Sequence, residues 1–336
     1  MKKILSLIAI IALGATLTFA QKKGKGAVVE KRESDKFKVE KSKILFDMKR
    51  LALAQLTVTY KLTTTAKTIA QAKGGNRDIA GARVSAYMEF TDGDMTQKEY
   101  QEITDYFYYY LQKQFKSIGI DTVSWNNITA HDFYLKVDES EDNKDFKEEK
   151  GGGQEWVTVT ALGGKQLHQG MTGFAFGKGK RAIDFSKDLD AVAAFFKLTV
   201  DFADVMVNLD IKSVAAQDLG NGWYRPASSK KKYTWAINPE MRVGNTEKTF
   251  TLFSTKKGGL EFLMMWNDIE SHTKYAESMT EDVSKARSGV AKQFAFRKEL
   301  TPVLIQTTRD KYKTAAKKAM ETYADALVEK IKMGEK

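Results

Sequence analysis

The residues that could carry out acid–base or metal chemistry are few and widely spaced in this sequence. The only three histidines are His131, His168 and His272, and none has the H-E-x-x-H spacing of a helical zinc site. There is no cysteine, which excludes thiol catalysis and thiolate metal sites, and no G-x-S-x-G motif of an α/β-hydrolase. Convergence of the histidines in the fold is one alternative, and ordinary polar or partly buried histidines are the simpler one. The sequence therefore predicts no catalytic residue, no metal site and no cofactor.

Three aspartates lie near a break in a long strand pattern. Between residues 196 and 211, one alternating apolar set ends and another begins, and the register changes between Ala203 and Asp204. Such a change indicates a β-bulge or a strand that switches its partner face. Asp201 and Asp204 lie near this break, and Asp210 lies further on. Solvated strand positions explain all three aspartates, and a polar site at the break is the alternative.

An acidic stretch has a partial calcium-loop pattern. Asp138, Ser140, Asp142 and Glu149 match positions 1, 3, 5 and 12 of an EF-hand loop, but Asn143 replaces the glycine of the sharp turn. The preceding residues have the pattern of a strand instead of an entering helix. An exposed loop is the simpler interpretation.

A glycine-rich stretch has a partial dinucleotide-binding pattern. Gly177, Gly179 and Ala182 match the loose form of that fingerprint, and residues 174–176 could end a strand. However, residues 181–186 do not predict a helix at the required position, and the P-loop pattern is absent. Tight turns are the simpler interpretation of these glycines.

The best-defined element is a helix within residues 83–125. Thr96 and Glu99 form the T-x-x-E pattern of a capping box, and Gly119 can take the left-handed conformation that ends a helix. The apolar positions between them recur at three- and four-residue steps: Tyr100, Ile103, Phe107, Tyr110, Leu111, Phe115 and Ile118. An alternating strand precedes the helix, and Ile120, Val123 and Trp125 suggest a second strand behind it. This order is compatible with a parallel crossover.

Aromatic residues provide the only candidate ligand-binding positions. Three consecutive tyrosines, 108–110, cannot all face inward on one helix, so Tyr106, Tyr108 and Tyr109 are candidates for surface contact. Phe196 and Phe202, in the later strand pattern, complete the set of candidate ligand-binding residues. Core packing with an amphipathic rim is the simpler interpretation of the aromatic helix.

The first residues predict export. Residues 1–20 begin with Lys2 and Lys3, continue with an apolar run and end in small residues, as is typical of a secretory signal peptide cleaved after Ala20. An uncleaved membrane anchor is the alternative, but the apolar run is short for a span. A compact signal of this kind suits a periplasmic or secreted protein.

The positive charge is concentrated near the two ends of the chain. The formal net charge is +11. Residues 21–43 carry nine Lys or Arg against four Asp or Glu, and residues 309–336 carry eight against five. A nucleic-acid binder would concentrate its positive charge on a folded face, so we predict no nucleic-acid partner. Weak contact of the basic tail with an anionic surface is one interpretation of the charge, and solubility is the simpler one.

Most of the remaining segments alternate in a way that predicts β-strands. Residues 56–63 alternate as a half-buried strand, and residues 156–162, 223–225 and 233–237 also read as strands, with a turn at 228–232. Residues 250–255 and 260–266 predict a hairpin. Helical composition is seen from about residue 274 to 299, residues 302–306 could be a buried strand, and Thr308 could cap a terminal helix.

Part of the chain resembles bacterial envelope domains. The strand YMEF, the helix EITDYFYYYLQKQF and the following GIDTV are similar to the periplasmic domains of TolB and of the curli-secretion lipoprotein, and residues 196–211 add a loosely similar pair of long strands. The chain departs from the lipoprotein in lacking the acylated cysteine and from TolB in lacking downstream propeller repeats. The resemblance implies an envelope-associated, non-catalytic domain and assigns no functional residue.

These features predict an α+β fold. We expect a signal peptide at 1–20, a flexible basic tail at 21–42, a domain at 43–272 with a mixed β-sheet and helices on one face, and a helical segment at 273–336 docked on that domain.

We hypothesise an exported, non-enzymatic envelope protein that acts by binding or assembly with an envelope protein or other cell-surface component. One alternative is a carrier of an apolar small molecule, which would need a pocket beneath Phe107, Phe115, Phe196 and Phe202. A hydrolase acting on envelope material is a further alternative.

Overall fold

The computed structural model describes residues 32–40, 48–71, 79–136, 147–150, 154–167, 178–214, 216–220, 223–225, 228–245, 251–254, 260–265, 267–282, 284 and 297–334. The predicted signal peptide, residues 21–31 of the predicted tail and His168 lie outside these ranges. The described residues belong to a single unit of the chain, Arg32–Lys336.

The described part of the chain forms nineteen strands. In chain order they are β1 (Phe37–Glu40), β2 (Arg50–Lys61), β3 (Thr63–Gln71), β4 (Ile79–Phe90), β5 (Asp121–Thr122), β6 (Lys147–Lys150), β7 (Gln154–Thr160), β8 (Val192–Asp201), β9 (Asp204–Val214), β10 (Gln217–Gly220), β11 (Trp223–Arg225), β12 (Ser228–Asn238), β13 (Met241–Asn245), β14 (Thr251–Ser254), β15 (Leu260–Met265), β16 (Ile269–Ser271), β17 (Ser278–Glu281), β18 (Arg297–Glu299) and β19 (Val303–Thr307).

Five α-helices accompany these strands. They are α1 (Gln97–Ser117), α2 (Trp125–Thr129), α3 (Asp132–Lys136), α4 (Lys178–Asp188) and α5 (Arg309–Met333). Short 3-10 turns are formed by Glu33–Lys36 and Ala161–Gly163. The fold is α+β, as predicted, with the terminal helix α5 docked on the body.

The strands form a large mixed sheet, a smaller sheet and a two-stranded ribbon. The large sheet has ten strands in the order β1-β15-β14-β8-β2-β7-β6, with β13 beside β8, β16 beside β13 and β5 beside β2. At its centre β2 and β8 run parallel, whereas β7 pairs antiparallel with β2. The smaller sheet contains β17, β19, β4, β18 and β3. The ribbon consists of β9 and β12, and β10 and β11 form a separate hairpin.

The two long helices lie on one face of the large sheet. Leu53, Val58 and Phe196 on that face are fully buried in the same hydrophobic cluster as Phe107 of α1 and Leu327 of α5. Three short helices cover part of the opposite face, where they enclose a second cluster of small and aromatic residues. That cluster contains Ala52, Ala54, Ala193, Phe195, Ile128, Phe133, Ala182 and Phe185. Small side chains at these strand positions leave room for helices to approach the sheet closely.

The predicted signals of α1 and α5 are confirmed. The Thr96 hydroxyl accepts a hydrogen bond from the Glu99 amide at 3.3 Å, and Glu99 accepts one from the Thr96 amide at 2.9 Å. This arrangement lowers the pKa of Glu99, mainly through the hydrogen bond from the Thr96 backbone. Gly119 takes a φ of +83° behind the helix. Thr308 caps α5 through the Lys311 amide.

Two predictions about the surroundings of α1 are wrong. The strand before it, β4, belongs to the smaller sheet, whereas the short β5 behind it pairs with β2 in the large sheet. Helix α1 therefore connects two sheets and is not a crossover within one. Trp125 begins helix α2, because Ser124 accepts a hydrogen bond from the Asn127 amide and caps a new helix there.

The N-terminal tail prediction is wrong for residues 32–40. Residues Phe37–Glu40 pair antiparallel with β15, and Phe37 is buried against the ring of Tyr323 at a centroid distance of 5.4 Å. An aromatic anchor and a backbone ladder together order this segment, although its composition is that of a flexible tail.

Helical composition also misled the interpretation of residues 274–299. Ser278–Glu281 pairs with β19, and Arg297–Glu299 pairs with β4, so the described parts of this segment contain strands. Residues 228–232, interpreted as a turn, begin the long strand β12. Pairing with a partner strand overrides local preference in both segments. The strand at Val303–Thr307 and the hairpin pairing of β14 with β15 are as predicted.

Candidate functional site

The centre of the large sheet carries a row of polar side chains on the face opposite α1 and α5. Strand β2 contains a bulge between Leu53 and Gln55, after which every second residue points away from the helices. These residues, with their partners on β7 and β8, define the polar face: Gln55, Thr57, Thr59, Lys61, Thr158, Thr160, Lys197, Thr199 and Asp201. The predicted half-buried strand is therefore covered on both faces, since Thr57 is as inaccessible as Val58.

Hydrogen bonds connect the polar face across strands. The Thr57 and Thr160 hydroxyls lie 3.0 Å apart, and the Gln55 amide donates to the Thr57 hydroxyl at 2.9 Å. Thr59 and Thr158 make a matching pair at 3.2 Å. These hydroxyls occupy positions that a packed sheet would usually fill with valine or isoleucine.

A lysine lies at the centre of the polar face. Lys197 is directly opposite Thr57 in the parallel β2–β8 pair and is partly buried. Among the described residues, no carboxylate forms an ion pair with it. Partly buried lysines are usually paired, so an unpaired one amid hydroxyl groups is a position where an acidic group could bind.

The polar face ends in a charged cluster at the carboxyl ends of β2 and β8. Asp201 is 5% exposed, and one of its oxygens accepts hydrogen bonds from Lys61 Nζ at 2.8 Å and from the Thr64 hydroxyl at 3.1 Å. A guanidinium nitrogen of Arg242 lies 3.7 Å from the same oxygen. Asp201 is therefore not a solvated strand position. It belongs to a polar cluster at the strand break, as the alternative interpretation predicts. Asp210 is exposed, as that simpler interpretation requires.

Arg242 joins the cluster to the ribbon. Its guanidinium donates to the Asp204 carboxylate at 2.7 Å and to the Ala203 carbonyl at 2.8 Å. Strand β8 therefore ends at Asp201, and β9 starts a separate sheet at Asp204. The register change is a passage between sheets, neither a bulge nor a change of face within one strand. The cluster fixes the direction in which the ribbon leaves the large sheet.

A second carboxyl group lies next to this cluster. A Cβ atom at Gly244 would fall 2.0 Å from a carboxyl oxygen of Asp268, so the glycine is what makes room for that side chain. Burial raises the pKa of Asp268, and nearby Asp201 also raises it, while Arg242, Lys61 and Lys36 oppose the shift. Lys36 of the N-terminal segment donates to the Asp268 carbonyl at 3.0 Å.

We expect Asp268→Asn to stabilise the protein at neutral pH. A carboxyl with a raised folded-state pKa binds its proton more tightly when folded, so its contribution favours folding at low pH and is lost as pH rises through the raised pKa. The amide removes the buried charge at nearly constant shape. Thermal unfolding of both proteins across acid and neutral pH would measure this, with the exposed Glu102→Gln as control. An equal or lower midpoint for Asp268→Asn at neutral pH would contradict the prediction.

The candidate tyrosines of α1 have different environments. Tyr109 is 58% exposed, whereas Tyr108 is 1% exposed and packs edge-on against Trp125, so Tyr108 is not a surface residue. Tyr106 is partly buried and donates to Glu321 of α5, a bond that raises the pKa of Tyr106 to about 12. The candidate surface set is therefore reduced to Tyr109, with Tyr106 joining α1 to α5.

The two candidate phenylalanines belong to the core. Phe196 and Phe202 have no exposed surface, and neither have Phe107 and Phe115 of α1. All four lie in one cluster of buried residues. Phe196 reaches this cluster because alternate residues of β8 face the long helices.

The described histidines each contact a carboxylate. His131 Nδ1 accepts a hydrogen bond from the Phe133 amide at 3.0 Å, and its Nε2 lies 3.1 Å from Asp188. The two ring nitrogens thus contact the start of α3 and the end of α4. His272 contacts Glu240. Among the described residues, no group of three or more histidines, aspartates and glutamates could hold a metal ion.

Comparisons with protein families, curated proteins and solved structures found no match. Within the described ranges, no helix has both the length and the apolar character to cross a membrane.

The partial calcium-loop pattern and the partial dinucleotide-binding pattern lie only partly within the described residues. Glu149 lies in strand β6, and residues 138–146 fall outside the described ranges. The segment before them forms helix α3 at Asp132–Lys136, contrary to the predicted strand. In the glycine-rich stretch, helix α4 runs through residues predicted not to be helical. Ala182 is fully buried there, so its small side chain serves helix–sheet packing.

Sequence reasoning missed Lys61, Thr64 and Arg242 as members of the cluster. Lys61 had a usable signal, since it continues the alternate polar set of Thr57 and Thr59. Arg242 had none, because its role depends on β13 pairing with the end of β8.

Proposed function

We propose that this is an exported, non-enzymatic, envelope-associated protein that acts by binding, with Lys197 and the partly exposed Thr59 and Thr158 of the polar face as its binding surface. The observation that carries the proposal is Lys197, a partly buried lysine opposite Thr57 with no ion pair among the described residues. The ligand would be a polar molecule with an acidic group, such as a carboxylate or a phosphate. The periplasm or the cell exterior is the compartment that the signal sequence favours.

The arrangement of the polar face supports a binding role. The buried Gln55 and Thr57 are hydrogen-bonded to each other and to Thr160, and this network holds the polar row in place beside Lys197. Lys197 lies in the middle of β8, between the buried hydroxyls and the charged cluster at the carboxyl ends of β2 and β8. A partly buried lysine beside this network supports recognition of an acidic group.

The charged cluster favours a binding protein over a hydrolase. Asp201 is paired with Lys61, and Asp204 is paired with Arg242, so both carboxylates are engaged in structural contacts. His131 uses both ring nitrogens in local contacts. These three described groups are thus engaged in holding the fold.

The carrier alternative finds less support. It requires space beneath Phe107, Phe115, Phe196 and Phe202, and these side chains are packed in the common core with no exposed surface. An apolar ligand would have to displace that packing, which costs several kcal/mol per large side chain, about 3 to 5.

Lys197→Met should abolish or strongly weaken binding of an acid-bearing ligand. Native mass spectrometry of the protein purified from its own envelope fraction would reveal a retained ligand, and phosphate, citrate and glucuronate would serve as defined probes. Loss of a charge-assisted hydrogen bond should weaken affinity about tenfold to a hundredfold. Calorimetric titration of the wild type and the variant measures the difference.

Two matched variants control this experiment. Lys197→Arg keeps the charge and should retain part of the affinity, and Lys49→Met removes an exposed lysine just before β2 and should have no effect. Equal affinity in the wild type and Lys197→Met, with both folded, would overturn the proposed site. No bound ligand and no response to any probe would leave the polar face without its proposed function.

Export is tested separately. The mature chain should be recovered from the periplasmic or extracellular fraction with its N-terminus near residue 21. A full-length chain confined to the cytoplasm would contradict the proposed location.

A further inference from the structure

The Asp268 carboxyl group lies on the polar face, one row of residues away from Lys197. Thr199 and Gly244 are directly opposite in the antiparallel β8–β13 pair, so a Cβ atom on Gly244 would point to the same face as the Thr199 side chain. That Cβ atom would fall 2.0 Å from the Asp268 carboxyl. Lys197 is two residues before Thr199 and shares its face. The carboxyl group of Asp268 therefore lies over β13, on the face that carries Lys197.

The Asp268 carboxyl group has no direct partner in the described part of the chain. Its backbone carbonyl accepts a hydrogen bond from Lys36, but no ion pair or hydrogen bond reaches its carboxyl oxygens there. The charged groups that act on it from the surrounding elements are Arg242, Asp201, Lys61 and Lys36. A partly buried carboxylate without a direct partner lowers stability, and this one also requires a glycine beneath it. Groups held at such a cost are candidates for a functional role.

Two groups of opposite charge are thus available on one face. Within the ranges that the structure describes, Lys197 and Asp268 form an ion pair neither with each other nor with another side chain. Alternate residues of a strand are about 6.6 Å apart and neighbouring strands about 4.8 Å apart, so the backbone positions of Lys197 and Gly244 are roughly 8 Å apart. A small molecule that makes a charge-assisted hydrogen bond of about 2.8 Å at each end fits such a separation.

We propose that the ligand of the polar face is a small zwitterion of the α-amino acid type, with its carboxylate on Lys197 and its ammonium group on Asp268. This inference rests on the proposed function, because it assigns the second end of the ligand whose acidic end binds Lys197. The ammonium group would supply the partner that the Asp268 carboxylate lacks. A simple acid is a poorer ligand, because it leaves Asp268 unpaired and places a second negative charge near it.

The test is calorimetric titration with alanine, lactate and propionate, which differ only in the ammonium, hydroxyl or hydrogen at the second carbon. The wild type should bind alanine most tightly. Asp268→Asn keeps the shape of the side chain, and it should weaken alanine binding about tenfold to a hundredfold without weakening propionate binding. Gly244→Ala keeps the charge but displaces the carboxyl group, and it should also weaken alanine binding. The control Asp210→Asn removes an exposed carboxylate and should change neither affinity.

Lys197→Met separates this inference from the proposed function. It should weaken the binding of all three probes, because each carries a carboxylate. If the wild type binds propionate or lactate at least as tightly as alanine, or if Asp268→Asn changes alanine and propionate binding equally, the zwitterion is wrong and the acid site stands. Binding of none of the three probes would overturn both. Thermal midpoints confirm folding, and since Asp268→Asn should raise the midpoint, its loss of affinity would not come from unfolding.

Discussion

Replacing Asp201 by asparagine should lower the free energy of unfolding by about 3 kcal/mol, the lower end of the range for breaking a buried ion pair. Asp201 is nearly inaccessible and is the common partner of Lys61, Thr64 and Arg242. Its loss leaves Arg242, which is largely buried, without part of its counter-charge. Lys61 is more exposed and can recover hydration, which limits the effect. Urea unfolding would show a lower midpoint with an unchanged slope.

The matched control for this change is Asp210→Asn. Asp210 is exposed on the same chain segment, and its replacement should change stability by no more than about 0.5 kcal/mol. Hydrogen exchange adds a local measurement, because the cluster fixes the start of the ribbon. Amides of β9 should lose more protection than those of β2 in Asp201→Asn. Equal effects of the two substitutions would show that the cluster does not hold the ribbon.

Replacing Tyr108 by alanine should cost about 3 to 5 kcal/mol, as expected for removal of a large aromatic side chain from a core. Its ring contacts Trp125 and Tyr109, with centroids 5.7 Å and 5.6 Å away, and Gln112 donates to its hydroxyl at 3.2 Å. The surrounding helices and sheet cannot close the space that the ring leaves. Chemical denaturation of the purified variant measures the loss.

Tyr109 provides the comparison from the adjacent position. Tyr109→Ala removes an identical side chain that is mostly exposed, so its effect should stay within about 0.5 kcal/mol plus the lost contact with Tyr108. Tyr108→Phe keeps the ring and removes only the hydroxyl, and should cost about 1 kcal/mol. Similar losses for Tyr108→Ala and Tyr109→Ala would mean that the helix packs in a different orientation.

The long helices could be predicted because their signals are local. A capping box requires residues three positions apart, and an apolar helix face requires residues three or four positions apart. The 21-residue helix α1 can therefore be predicted from neighbouring residues alone. Thr96, Glu99 and Gly119 act as the sequence indicates. The same reasoning identified Thr308 and the stripe of α5.

Strand partners could not be predicted in the same way. Alternation identifies a strand but not its neighbours, and partners here are far apart in sequence, as when Leu51 of β2 lies opposite Val192 of β8. For that reason the sequence is compatible with β4 and β5 in one sheet, and it does not predict the strands within residues 32–40 and 297–299. Their composition favoured a tail and a helix, and strand pairing decided otherwise.

The sequence by itself determined that Asp201 and Asp204 lie at a break between strands and that alternate residues of β2 are polar. It could not decide whether those polar side chains are exposed to solvent or buried. Only the tertiary structure covered Thr57 on the polar face, placed Lys197 opposite it, and brought Arg242 to the end of β8. The physical reason is that burial and charge pairing depend on which distant strands meet, whereas alternation depends only on the backbone of one strand.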